Sequence, residues 1–146
     1  MQRVLDTLRA ERAIEATLVT YARACDQRDW RLLDCVFTDT VAVDYGGEFL
    51  LNGRADVVAM IKRMLGGCGP TQHLLGNFTI DVQDNAASCR CYVRAVHAGL
   101  AEQADMYYEV WAEYVDQLVH TAEGWRIKQR SMLVHKEVGS RAILKP

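Results

Sequence analysis

The stretch Ala87-Ser88-Cys89-Arg90-Cys91-Tyr92-Val93-Arg94-Ala95-Val96-His97-Ala98 alternates from Ala87 to Ala95 between small apolar residues and polar or bulky ones, and the same phase then carries His97. Successive side chains of a strand point to opposite faces, so a period of two sustained over this length is a strand with one face in a core. Ala87, Cys89, Cys91, Val93, Ala95 and His97 share the inward face. Ser88, Arg90, Tyr92 and Arg94 share the outward one. His97 is the one polar group of the inward set. Alanine and cysteine on a concave wall leave room that Leu or Phe would fill, so the strand predicts a pocket with an imidazole in it.

Working outward, the same period continues on both sides. Asp84-Asn85 reads as a turn, with a strand over residues 72–82 before it. Residues 106–119 form a long strand with Met106, Tyr108, Val110, Ala112 and Tyr114 on one face. Ala122-Glu123-Gly124 is a turn, and residues 125–135 form the last strand. Upstream the period changes. Ile14, Leu18, Tyr21, Ala22 and Cys25 recur at helical steps. A short helix begins at Asp29 or Trp30, with Asp29 as its cap, and carries Leu32, Leu33, Val36 and Phe37. Residues 41–45 read as a strand with Val41, Val43 and Tyr45 on one face and Asp44 on the other, stopped by Gly46-Gly47. Residues 54–65 form a further helix, ended by Gly66-Gly67 and Gly69-Pro70. Helices first and antiparallel strands after give an α+β class: a cone-shaped, curved antiparallel sheet packed against N-terminal helices.

Composition bounds the function. The chain has 146 residues, and residues 1–146 are expected to form one domain without repeats or linkers. Seventeen Lys and Arg against nineteen Asp and Glu leave a net charge of −2, with no basic surplus for a nucleic-acid interface and no polybasic block for a membrane surface. No apolar run is long enough to span a bilayer, and the charged N-terminus does not read as a signal peptide. The five cysteines, 25, 35, 68, 89 and 91, are odd in number and form no C-x₂-C pair. Reduced thiols, a cytoplasmic location and no metal site are expected.

Four residues stand out as chemistry. Asp26 lies at the edge of the helical apolar stripe, where a carboxylate needs a donor. His73 opens the 72–82 strand. By strict alternation it opposes Phe78, Ile80 and Val82, but Gly76 between them marks a place for a bulge, so pattern leaves its direction open. His97 faces the pocket, and Tyr45 shares the inward face of its strand. Arg130 falls opposite Trp125, Ile127 and Gln129, and alternation places it on the surface, while His120 and His135 read as solvated. Pattern alone leaves each a structural alternative: Asp26 as a surface acid, the histidines as hydrogen-bonded strand residues, and Tyr45, Tyr108 and Tyr114 as core aromatics.

From Tyr21 to Ser131 the chain resembles the nuclear-transport-factor-like α+β cone in its SnoaL-like branch, and within that branch the scytalone dehydratases. The likeness rests on Asp26-Gln27-Arg28-Asp29-Trp30, Val43-Asp44-Tyr45, Gln72-His73-Leu74-Leu75-Gly76 and Val96-His97. The resemblance implies that Asp26 orients His73, that His73 is the catalytic histidine, that His97 is a second pocket histidine, and that Tyr45 polarises a substrate carbonyl. It implies substrate-binding places for Tyr21 and Arg130, the latter as counterpart of an arginine that lines related sites; Tyr108, on the same strand face as Val110 and Tyr114, is a further substrate-binding candidate as a donor to the carbonyl. It departs from the dehydratases at Cys25, at Val110-Trp111-Ala112-Glu113, and in a short C-terminal segment after Val138. The acid/base core is kept and the substrate-grasping groups differ.

The implied function is a cofactor-independent lyase that removes water from a cyclic enolisable ketone, hydrophobic and polyketide- or steroid-like, by Asp–His general acid/base catalysis. The same groups would serve an isomerase or a polyketide cyclase. A non-catalytic reading is a ligand-binding module or a dioxygenase small subunit. The resemblance further implies a homodimer or homotrimer through the outer sheet face, where Tyr92 and Trp111 point outward.

Overall fold

In the computed structural model, which describes residues 1–144, a long helix α1 (Gln2–Gln27) opens the chain. Its first turns are exposed. From Ile14 onward, Ile14, Leu18, Tyr21 and Cys25 lie one or two turns apart and are buried. Arg28, in the left-handed conformation, ends the helix. A 3₁₀ turn (Trp30–Cys35) follows in place of the expected second helix. Asp29 stands at its N-cap position but makes no capping bond with its side chain. Leu32 and Leu33 pack inward from it, whereas Phe37 already belongs to β1 (Phe37–Tyr45). β2 (Phe49–Asn52), too short to show a period in the sequence, returns beside β1 after the Gly46-Gly47 turn. Helix α2 (Arg54–Gly66) buries Val57, Met60, Ile61 and Leu65.

The rest is sheet: β3 (Thr71–Gln83), β4 (Ala86–Ala98), β5 (Tyr107–Thr121) and β6 (Gly124–Gly139), with a final 3₁₀ turn at Arg141–Leu144. The order across the six-stranded sheet is β2-β1-β6-β5-β4-β3. Neighbours are antiparallel except β1 and β6, which run parallel. The sheet is therefore mixed, which local patterning could not show, because the pairing joins strands far apart in the chain. Its inward face and the two helices enclose one apolar core. The inward set of β4 is buried throughout, from Ala87 to His97, and Tyr92 and Trp111 face out, 55% and 41% exposed. Met106 precedes β5 and is exposed.

Bulges decide where side chains point. In β3 the register against β4 shifts between Gly76 and Thr79, with Asn77 in the left-handed region. In β6, Gln117 pairs with Gln129 but Leu118 pairs with Ile127, so Lys128 is an extra residue. A second shift in β6 leaves His135 unpaired against β5. All five cysteines are free, and only Cys35 is exposed. Among the described residues no helix is long and apolar enough to cross a membrane.

Candidate active site

Asp26 lies in the last turns of α1, which packs across β3. β3 is an edge strand, so part of its backbone has no strand partner. One such donor, the His73 N–H, bonds Asp26 Oδ2 at 2.9 Å. The His73 ring donates from Nδ1 to Oδ1 at 2.7 Å, and the Thr71 hydroxyl donates to the same oxygen at 3.0 Å. Burial works to raise the Asp26 carboxyl, but the bonds from the His73 ring and backbone and from Thr71 outweigh it and hold the group below its ordinary value. A carboxylate only accepts, so Nδ1 carries a proton, and in the neutral ring Nε2 is the bare nitrogen. The Asp26 side chain is 23% exposed and that of His73 is 6% exposed. The bulge at Asn77 is what allows this. It lets His73 and Leu75 share the core-facing side with Phe78, Ile80 and Val82, which strict alternation forbids.

His73 borders a cavity of about 310 Å³ between the sheet, α2 and the final 3₁₀ turn. Tyr21, Tyr45, His97, Tyr108 and Tyr114 also border it. Asp26 stands behind His73, outside the lining. Ala95 leaves room in the wall, as its size predicts, while Cys89 and Cys91 lie deeper in the core and do not border the space.

The ring of His97 stands nearly perpendicular to that of His73, centroids 5.5 Å apart. Its Nδ1 lies 3.0 Å from the Tyr108 carbonyl oxygen. A carbonyl can only accept, so Nδ1 is the donor and Nε2 is bare here too. Burial, then the neighbouring His73, push His97 down from 6.5 to about 4, so it is neutral near pH 7. The unfolded chain then binds a proton that the folded chain refuses as pH falls from about 6.5 to about 4. Stability is expected to drop by up to about 3 kcal/mol across that window and to be unaffected by this group above it. Urea midpoints measured against pH check this. The slope in that window should shrink in His97→Gln.

The Tyr21 ring stands edge-on to that of His73, centroids 6.3 Å apart, and its hydroxyl accepts a hydrogen bond from the Tyr45 hydroxyl at 3.0 Å. That bond uses the Tyr45 proton, and the remaining Tyr21 O–H stands beside the Tyr114 hydroxyl and the Cys25 thiol as well as the cavity. Burial raises both phenols, so both keep their protons. Tyr108 borders the cavity with its ring, but its hydroxyl donates to Glu137 at 2.6 Å. Arg141 bonds the same Glu137 and, at 2.7 Å, Glu48. Glu48, Arg141, Ala142 and the buried Leu144 border the cavity, so a short C-terminal cover is present. Glu48 and Arg141 pair across distant segments and have no local signature, whereas Glu137 and Arg141 are near neighbours in the chain.

Arg130 is the main correction. Alternation places it on the surface, yet it is 1% exposed. The extra residue Lys128 reverses the phase of β6, so Ile127 and Arg130 both point inward. It does not border the cavity either. Its guanidinium forms a two-point bond to Asp116, 2.7 and 2.8 Å, and lies 4.4 and 3.8 Å from the ring centroids of Tyr21 and Tyr114. Burial opposes its charge, but Asp116 more than offsets this and drives its pKa up. Asp116, fully buried, escaped the sequence reading, although it is in phase with Tyr108, Val110, Ala112 and Tyr114.

The family model described as a SnoaL-like domain matches residues 6–131. Over 120 residues the chain is 36% identical to an uncharacterized protein of Mycobacterium tuberculosis, covering 80% of each. A scytalone dehydratase candidate from Novosphingobium aromaticivorans has a similar structure, with a TM-score of 0.85 at 23% identity over 96% of this chain and 94% of that one. The type-3 hexachlorocyclohexane dehydrochlorinase of Novosphingobium barchaimii superposes with a TM-score of 0.80 at 15% identity over 95% of each chain. At these identities the two structures share the fold.

Proposed function

The chain belongs to the SnoaL-like domain family, and within it we propose a lyase of the dehydratase kind, removing water from a cyclic, enolisable ketone with Asp26 and His73 as its acid/base pair. The observation that supports this reading is the 2.7 Å contact between Asp26 Oδ1 and His73 Nδ1, made by a histidine that borders a cavity.

The bare Nε2 of His73 takes the proton α to the substrate carbonyl. Asp26 stabilises the imidazolium that forms. Charge builds on the carbonyl oxygen as the enolate develops, and the Tyr21 O–H left by the Tyr45 bond donates to it. The β C–O bond then breaks. The departing hydroxyl takes the proton from Nε2, leaves as water, and returns His73 to its neutral form. His97, whose only ring proton is committed to the Tyr108 carbonyl, accepts a hydrogen bond from a substrate hydroxyl rather than donating one. Arg130 supports the tyrosine rings from behind. A volume of about 310 Å³ suits a substrate of one or two rings.

The test is a panel of one- and two-ring β-hydroxyketones incubated with the protein and with His73→Ala, products read by mass. A product lighter by one water, formed by the unsubstituted protein alone, is expected. A product of unchanged mass with a moved double bond or a closed ring would replace elimination by isomerisation or cyclisation at the same site. Ligand binding without turnover across the panel would overturn the enzymatic reading in favour of a binding module.

A further inference from the structure

We propose that Arg28 and Thr71 are positioning residues that set how strongly Asp26 acts on His73. This rests on the acid/base reading above. Arg28 follows α1 in the left-handed region, φ 57°, where glycine is the ordinary choice. Its guanidinium explains an arginine there. Nη1 donates to the Cys25 carbonyl at 2.6 Å and to Thr71 Oγ1 at 2.8 Å, and Nη2 donates to the Gly69 carbonyl at 2.7 Å. One side chain thus ties the end of α1, which carries Asp26, to the segment leading into β3, which carries His73.

The chemistry of the chain of bonds has one direction. Arginine has no acceptor, so Thr71 cannot donate to it. The single Thr71 proton is therefore directed to Asp26 Oδ1, the oxygen that also receives the His73 ring N–H. Every donor on that oxygen draws off charge that would otherwise stabilise the His73 imidazolium. Arg28 and Thr71 thereby fix the geometry of the pair and moderate its basicity. The other titratable groups facing His73 are Tyr21 from α1 and His97 from β4, and Cys68 lies against Arg28. These stay in place in the variants below.

The test is an NMR titration of the His73 imidazole in the free protein, which needs no substrate. Removing the Thr71 donor makes the carboxylate more basic, so in Thr71→Val the midpoint is expected to rise by roughly half a pH unit. Thr71→Ser, which keeps the hydroxyl, should restore the original midpoint. Arg28→Met should raise it at least as far as Thr71→Val. Asp26→Asn is the control for the underlying reading and should lower the midpoint by about one unit. If Asp26→Asn moves His73 and neither Thr71→Val nor Arg28→Met does, the positioning role is wrong and the pair survives. If Asp26→Asn also leaves His73 unmoved, the pair itself is wrong.

Discussion

Turnover in His73→Ala is expected to fall by about 10²–10⁴-fold, the usual contribution of a positioned general acid/base. Asp26→Asn should fall within the same range for a different reason. An Asn side chain keeps the size and can still accept the His73 backbone N–H, so the fold should be retained. Its amide N–H₂, turned toward the ring, would require Nδ1 to accept. The proton would then sit on Nε2, the nitrogen that must be bare to act as base. The ring would be in place in the wrong tautomer. Michaelis–Menten kinetics on a substrate from the ketone panel, with circular dichroism to verify folding, provide the measurement. Turnover within about twofold of the unsubstituted protein in both variants would remove the acid/base assignment, since among the described residues the other histidine bordering the cavity, His97, is held by a backbone carbonyl and not by a carboxylate.

The largest stability effect is expected at Asp116, which touches no substrate. Asp116→Ala leaves the Arg130 guanidinium fully buried without its counter-charge, and breaking a buried pair this way costs about 3–5 kcal/mol. The faces of Tyr21 and Tyr114 offset part of that, since aromatic rings attract a cation. The double replacement Asp116→Leu with Arg130→Met should recover most of the loss, because it removes both charges and keeps apolar volume. Urea unfolding of the two single variants and the double variant closes the cycle. A loss below about 1 kcal/mol in Asp116→Ala would mean that water or a rearranged partner reaches Arg130.

The two predictions separate two layers of one site. His73, His97 and the Tyr21–Tyr45 pair border the cavity, and their hydrogens determine what a ligand meets. Asp26, Thr71, Arg28, Asp116 and Arg130 lie behind them and hold that arrangement. The two histidines and the Tyr21–Tyr45 pair border one cavity, and the His73 ring stands edge-on to both His97 and Tyr21. Imidazole acceptors and a phenol donor thus stand side by side. This is the polarity that an enolising ketone needs.

Much of this was legible from local pattern. The helical steps from Ile14 to Cys25, the two-residue period from Ala87 to His97, and the turns at Asp84-Asn85 and Gly124 each report the state of a short segment, because burial of one face imposes its period directly on the sequence. Those periods determined the α+β class, the inward place of His97 and Tyr45, and the outward place of Tyr92 and Trp111. Alternation is a local rule, however, and carries information only as far as the next bulge. The extra residues at Asn77 and Lys128 are set by cross-strand register, and they alone decided that His73 turns inward and that Arg130 turns inward to meet Asp116. The parallel pairing of β1 with β6, the bonds from Arg28 to Thr71 and Gly69, and the Glu48–Arg141 pair likewise join residues far apart in the chain. Their partners are chosen by the packed sheet, so only the tertiary structure could reveal them.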